Sequence, residues 1–311
     1  MAETFDSALR YLDPQAVAQL SNLELRARLI VEGFITGLHR SPYHGFSVEF
    51  AEHRPYNPGD ELRHVDWKVY AKTDRYYIKQ YEEETNLRHH VVLDTSPSMR
   101  YQGEGPISKL EYGSYLAAAL HNLMLRQRDA TGLIGFDEGV HTVRRPKATP
   151  GYLRQLLVTL DQFQHEETTG RRTSAASALD EVAERIGRRS LVVVITDLFE
   201  NIAQHEDLLR ALRHLRHRQH EVVVFHVLES KTERKFRFPD RPMLFRDVET
   251  GEEITVKPAQ LREHYEEAVT EFSERFRRSC LEHDIDFAEV DTNEPFDTAL
   301  MAYLNKRKRL V

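Results

Sequence analysis

The chain alternates between short apolar runs and longer amphipathic segments. Val91–Leu93 and Leu191–Ile195 are apolar runs of strand length and are too short to be helices. Residues 109–126 and the segment that begins at Pro258 carry apolar side chains at helical spacing. Strands that alternate with helices favour a mostly parallel sheet covered on both faces. The pattern therefore predicts an α/β fold.

The remaining predicted elements continue this alternation. Strands are predicted at 76–82, 131–136, 140–143, 222–227 and 287–290, and helices at 21–37, 152–163, 174–186, 206–218 and 297–307. A β-hairpin with Thr250-Gly251 in its turn interrupts the alternation. We therefore predict an N-terminal helical and β extension over residues 1–87. The α/β domain follows over residues 88–311, with the hairpin inserted near 236–258.

Polar side chains follow two of the apolar strands. Asp94, Ser96 and Ser98 come directly after the first, Asp197 follows the second, and Thr173 lies in a glycine-led loop before a predicted helix. Ligands bind outside the carboxyl ends of strands in open α/β sheets. Carboxylate and hydroxyl oxygens suit Mg²⁺ or Mn²⁺. These five residues therefore predict a magnesium or manganese site; the alternative is a polar turn that only caps the next helix.

The strand-end position of Asp197 also sets an expectation for mutagenesis. Asp197 follows its strand and lies outside the apolar run, so its side chain is not part of the predicted core. We therefore expect replacement of Asp197 by alanine to weaken ion binding without unfolding the domain.

Two motifs resemble those of a known family. The D-x-S-x-S run, the distant threonine and the later T-D pair resemble the metal-ion-dependent adhesion site (MIDAS) of von Willebrand factor A domains. The runs GFSVEF at 45–50 and RPYNPGDELRHVDW at 54–67 are similar to the signature of the bacterial domain-of-unknown-function family fifty-eight. That family is a branch of the von Willebrand A-like proteins. The resemblance implies a von Willebrand A-like fold, bound Mg²⁺ or Mn²⁺, and a partner that is an AAA+ ATPase of the MoxR type.

The resemblance implies a metal-dependent protein-interaction module rather than an enzyme. A haloacid-dehalogenase-like phosphatase is an alternative, since it also places an aspartate after its first strand and needs Mg²⁺. Such a phosphatase uses a second aspartate two residues later as acid and base, and here that position is Ser96. A scaffold whose metal site is vestigial stays open, because side-chain identity alone does not report geometry.

Composition narrows the setting in which the protein works. A net charge of −7 argues against a general nucleic-acid binder. The single cysteine, Cys280, has no intramolecular disulfide partner and suits a reducing compartment. No run approaches the roughly 18 apolar residues of a membrane span, and the first residues lack the pattern of a signal peptide. We therefore expect a cytoplasmic protein without a transmembrane segment.

Overall fold

The computed structural model divides the 311-residue chain into two compact units. It describes residues 23, 25–28, 30–31, 53–55, 76–79, 88–149, 151–165, 175–198, 205–247, 251–296 and 299–301. One unit spans residues 41–86, and the other combines residues 1–40 with 87–311. In the first unit, strands β1 (His53–Pro55) and β2 (Tyr77–Lys79) pair antiparallel. Most of the 45–67 signature lies outside the described residues.

The second unit is built on a six-stranded sheet. Its strands are β3 (Arg88–Asp94), β4 (Ala130–Phe136), β5 (Val140–Lys147), β6 (Ser190–Thr196), β7 (Glu221–Leu228) and β10 (Ile285–Asp291). They lie in the order β10-β7-β6-β3-β4-β5, and every neighbouring pair is parallel except β4 with β5. A separate antiparallel hairpin joins β8 (Met243–Arg246) to β9 (Glu253–Val256), as the sequence predicted.

The order of the strands reverses between β3 and β6. From β3 the chain first builds outward through β4 and β5, and then returns to the other side of β3 to add β6, β7 and β10. Such a switch point leaves a crevice at the carboxyl ends of its two strands. The register opposes Leu93 to Ile195. Asp94 and Asp197 therefore emerge beside each other at this crevice.

Helices cover both faces of the sheet, so the prediction of an α/β fold is confirmed. They are α1 (Lys109–Arg126), α2 (Tyr152–His165), α3 (Ala175–Arg185), α4 (His205–His217) and α5 (Pro258–Glu282). Because successive strand residues point to opposite faces, Val91 and Leu93 join a core with α1 and α2, whereas Val92 joins a second core with α3, α4 and α5. Cys280 of α5 is fully buried in the second core as a free thiol.

Helix α1 is buried on nearly every side. Its start has a capping box, in which the Ser108 hydroxyl accepts from the backbone N–H of Glu111 and the Glu111 carboxylate accepts from the backbone N–H of Ser108. Gly113 faces the sheet, where an added Cβ would lie 3.1 Å from side-chain carbons of Leu93 and Ile195. The glycine therefore lets α1 approach β3 and β6 closely at the crevice.

Several predicted features lie partly beyond the described residues. The predicted helix at 297–307 is described only at 299–301, and the helix predicted at 21–37 only at 23, 25–28 and 30–31, which are helical in both cases. Thr173 is outside the described residues, as is the loop that carries it. Among the described helices, none combines the length and the apolar character that a membrane crossing requires.

Candidate metal centre

The first part of the site is the turn that follows β3. The Asp94 carboxylate accepts a hydrogen bond from the backbone N–H of Ser96 at 2.9 Å, which closes the turn on the strand end. Pro97 then begins a short 3₁₀ turn, Pro97–Arg100, in which Met99 is buried in the core below α1. Local turn chemistry and an apolar anchor therefore fix the D-x-S-x-S segment at the crevice.

The turn gathers oxygen atoms in a small buried space. The hydroxyls of Ser96 and Ser98 lie 3.0 Å apart, and both side chains are almost fully buried. The second oxygen of Asp94 accepts a hydrogen bond from the Thr196 hydroxyl at 2.7 Å, which ties β3 to β6. Three side chains of the D-x-S-x-S motif are thus held together by strand pairing and hydrogen bonds.

Asp197 brings a buried cation to the site. Its Oδ2 accepts a hydrogen bond at 2.7 Å from Nζ of Lys109, the first residue of α1. The same ammonium also donates to Oε1 of Glu233. The Lys109 side chain is 1% exposed, so this ion pair is shielded from water. We call Asp197, Lys109 and Glu233 the ion triad.

A π-helical turn, Ser230–Arg234, holds Glu233 in place. The second carboxylate oxygen of Glu233 accepts from the backbone N–H of Glu229 at 2.8 Å. Glu229 is itself fully buried, and it accepts from the backbone N–H of Thr232 at 2.7 Å and from the amide of Asn293 at 2.9 Å. The acceptor for Lys109 is therefore held by the backbone N–H of Glu229 just after β7, and Glu229 is held in turn by Thr232 and Asn293.

Burial dominates the electrostatics of these groups. It raises the pKa of Asp94, and the nearby Asp197 carboxylate raises it further, from 3.8 to about 7. Burial also raises the pKa of Glu233, against the opposing effect of Lys109. Burial alone would lower the pKa of Lys109, but the carboxylates of Asp197 and Glu233 reverse that effect and raise it above its ordinary value.

The charges of the site fit a divalent cation. Within the described part of the chain, Lys109 pairs with Asp197 and Glu233, whereas no cationic side chain pairs with Asp94. A buried carboxylate without a counterion is costly. When all four groups are ionised, the three carboxylates outnumber the single ammonium by two charges. The donors are all hard oxygens, which fits Mg²⁺ or Mn²⁺.

The structure brings together four of the five residues that the sequence singled out. Asp94, Ser96, Ser98 and Asp197 meet at the switch point, and Thr173 lies outside the described residues. No group of three or more His, Cys, Asp or Glu side chains suited to a metal occurs among the described residues. The candidate site instead combines two carboxylates with hydroxyl groups.

Sequence reasoning missed Lys109 and Glu233. Lys109 is separated from Asp197 by 88 residues and from Glu233 by 124, so no local pattern connects them. One signal was present, since Lys109 opens a helix whose following residues are mostly apolar. The pairing also changes the expectation that Asp197→Ala weakens only ion binding. Because Asp197 is the partner of a buried ammonium, we expect the exchange to destabilise the domain as well.

Comparison with known proteins finds an uncharacterized relative and several solved structures with a similar arrangement. The uncharacterized protein Rv1480 of Mycobacterium tuberculosis is 28% identical over 259 residues, which cover 82% of this chain and 78% of the relative. Solved structures with a similar arrangement include the conserved hypothetical protein BatB from Bacteroides thetaiotaomicron, with a TM-score of 0.46 and 16% identity over 71% of this chain and 99% of that one. The von Willebrand A domain of SpRpn10 has a TM-score of 0.36 and 11% identity, over 69% of this chain and 93% of that domain.

The family assignment rests on the sequence match. The model of the family described as "Protein of unknown function DUF58" matches residues 52–275, which is more than two thirds of the chain. This match confirms the resemblance to that family noted in the signature runs. The chain therefore belongs to the DUF58 family.

Proposed function

We propose that this protein is a metal-dependent protein-interaction module with a MIDAS-type site for Mg²⁺ or Mn²⁺. The proposed ligands are Asp94, Ser96, Ser98, Thr173 and Asp197. The observation that carries the proposal is the buried Asp94 carboxylate at the switch point, where two hydroxyls accompany it and no cationic side chain among the described residues pairs with it. A divalent cation would supply the missing counterion.

The side chains of the site favour an acidic partner. The hydroxyls of Ser96 and Ser98 would be neutral metal ligands, so they would bring oxygen atoms to the ion without adding negative charge. Lys109 neutralises part of the negative charge of Asp197. Mg²⁺ would take six ligands and retain water readily. Where Asp94 or Asp197 held the ion through water rather than directly, a carboxylate from another protein could replace a water. Such a contact is charge-assisted and depends on the ion.

The proposed partner is an AAA+ ATPase of the MoxR type, and this part of the proposal rests on family resemblance. We also propose that the protein is not an enzyme. Ser96 occupies the position where a haloacid-dehalogenase-like phosphatase needs its acid-base aspartate. Both oxygens of Asp94 accept hydrogen bonds, from Ser96 and Thr196, in an arrangement that holds the carboxylate still. No observation on the site favours the phosphatase over the interaction module.

The test combines ion binding with partner capture. Calorimetric titration of the full chain with MgCl₂ is expected to give one site in the wild type and none in Asp94→Asn, a nearly isosteric change. Asp207→Asn is the matched control, because Asp207 lies on α4 in an exposed pair with Arg210. The wild type and the control should capture a purified MoxR-type ATPase in Mg²⁺ and release it in EDTA. Equal Mg²⁺ binding by Asp94→Asn, or capture that survives EDTA, would overturn the proposal.

A further inference from the structure

We propose that Lys109 and Glu233 form a built-in counterion pair that sets how tightly the site holds its divalent cation. Lys109 would act as a positioning residue for Asp197, and Glu233 as the anchor that keeps Lys109 in place. The inference rests on the proposed ion site and deepens it. It begins with the geometry of the ion triad, in which one ammonium bridges the Asp197 carboxylate and a carboxylate that lies outside the proposed ligand set.

Lys109 opposes the ion in two ways. Its ammonium lies in contact with an oxygen of Asp197, so its positive charge repels a cation bound at that carboxylate. Buried charges a few ångströms apart interact far more strongly than they do in water. Its hydrogen bond at 2.7 Å also occupies Oδ2 of Asp197, so that direction of the carboxylate is already taken. Removing the ammonium should therefore strengthen ion binding.

Glu233 works in the opposite direction. Its carboxylate shares the Lys109 ammonium and draws part of that charge away from Asp197. Without Glu233, Lys109 would have one fewer carboxylate and would be held more firmly by Asp197. Neutralising Glu233 should therefore weaken ion binding, although its side chain lies outside the proposed ligand set.

The turn that carries Glu233 is held in place by hydrogen bonds and by packing against a neighbouring loop. Thr232 accepts a hydrogen bond from the hydroxyl of Tyr101 at 2.8 Å and donates to the Glu229 carboxylate. Gly103 has φ +57°, and a Cβ there would lie 2.6 Å from the Thr232 hydroxyl. The loop after the D-x-S-x-S motif thus packs directly on the turn that carries Glu233. The Glu233 carboxylate that accepts from Lys109 is therefore held by a backbone N–H on a packed turn.

The counterion pair predicts changes in Mg²⁺ affinity of opposite direction when Lys109 and Glu233 are replaced, and this distinguishes it from a purely structural role. Lys109→Met keeps most of the length of the side chain and removes the charge, and we expect Mg²⁺ to bind at least about tenfold more tightly. Glu233→Gln keeps the shape of the side chain, and we expect binding about tenfold weaker. The double variant loses one charge of each sign and should return toward the wild-type affinity. Loss of packing alone would weaken binding in both single variants.

The experiment is calorimetric titration of each full-length variant with MgCl₂, with the free energy of unfolding measured in EDTA as a second readout. Lys147→Met is the matched control for the lysine, since Lys147 lies on edge strand β5 against the Tyr152 ring. Glu184→Gln is the control for the glutamate, since Glu184 pairs with Arg218 at the surface. Neither control should change the affinity more than about twofold. If Lys109→Met does not fold, Glu233→Gln still tests the inference, because unchanged or tighter Mg²⁺ binding by that variant would overturn it. Weaker binding supports it only where the free energy of unfolding in EDTA matches that of the wild type, since lost packing would lower both.

The outcomes separate this inference from the proposed function. A wild type that binds no Mg²⁺ overturns both. A wild type that binds Mg²⁺ through Asp94, with single variants that keep its affinity or shift it in the same direction, overturns the counterion pair and leaves the ion site intact. Opposite shifts that cancel in the double variant support the counterion pair.

Discussion

Replacing Asp94 with asparagine should stabilise the protein at alkaline pH when no divalent ion is present. The native environment raises the pKa of Asp94 from 3.8 to about 7, through burial first and Asp197 second. For an acid, a raised pKa means that the folded state binds the proton more tightly than the unfolded state does. Stability contributed by Asp94 is therefore lost as the pH rises through the window between the two pKa values, and the loss levels off above pH 7.

The size of the effect follows from the width of that window. Each pKa unit corresponds to about 1.4 kcal/mol. Between pH 5 and pH 8 the wild type crosses about two units of the window, so ionisation of Asp94 should lower its free energy of unfolding by about 3 kcal/mol. Asparagine carries no charge over this range. The stability difference in favour of Asp94→Asn should therefore widen by about 3 kcal/mol from pH 5 to pH 8.

The assay is urea unfolding in EDTA at several pH values, with the variant and the wild type compared at each. The comparison removes the contribution of buried groups that do not interact with Asp94, because these titrate alike in both proteins. One of them is His226, whose pKa is lowered to about 4 mainly by burial. Asp207→Asn serves again as the control and should keep a constant difference from the wild type. A constant difference for Asp94→Asn as well would refute the reasoning, since Asp94 would then ionise freely in the fold.

Three further predictions follow from the same site. Mg²⁺ affinity should rise with pH up to about pH 7, because binding releases a proton from Asp94. Calorimetric titration in two buffers of different ionisation enthalpy measures this proton release, and its absence would contradict the role of Asp94. Asp197→Ala should lower the free energy of unfolding by about 3 kcal/mol, because it removes a partner from buried Lys109. Urea unfolding in EDTA measures this loss, and a loss below about 1 kcal/mol would count against the ion triad. Small phosphoesters should not be hydrolysed, because Ser96 replaces the acid-base aspartate; steady Mg²⁺-dependent turnover that disappears in Asp94→Asn would favour the phosphatase.

The fold could be predicted from the sequence because its signals are local. Val91–Leu93 and Leu191–Ile195 became the central strands β3 and β6, since short apolar runs have few other ways to be buried. The predicted start of α1 at Lys109 coincides with a capping box at Ser108, which is also a local signal. The site aspartates were predictable for the same reason, because each lies at the end of an apolar run of strand length.

The ion triad could not be predicted because it depends on three separate parts of the chain. Glu233 lies in a π-helical turn, and no periodicity in the sequence predicts that turn. Lys109 has a side chain typical of an exposed helix start, and its burial follows from packing on all sides of α1. Pairings at long sequence separation become visible only when the sheet order is known.

The close approach at Gly113 links an uncharged residue to the position of Lys109 in the ion triad. Gly113 lies one helical turn after Lys109 and on the same side of α1. A methyl group at 113 would lie 3.1 Å from side-chain carbons of Leu93 and Ile195, so either those side chains or the helix would have to shift by a few tenths of an ångström. A shift of the helix would carry the Lys109 ammonium with it and change its 2.7 Å contact with Asp197. Measuring Mg²⁺ affinity in Gly113→Ala therefore tests whether the spacing between α1 and strands β3 and β6 tunes the proposed site, without altering a single charge.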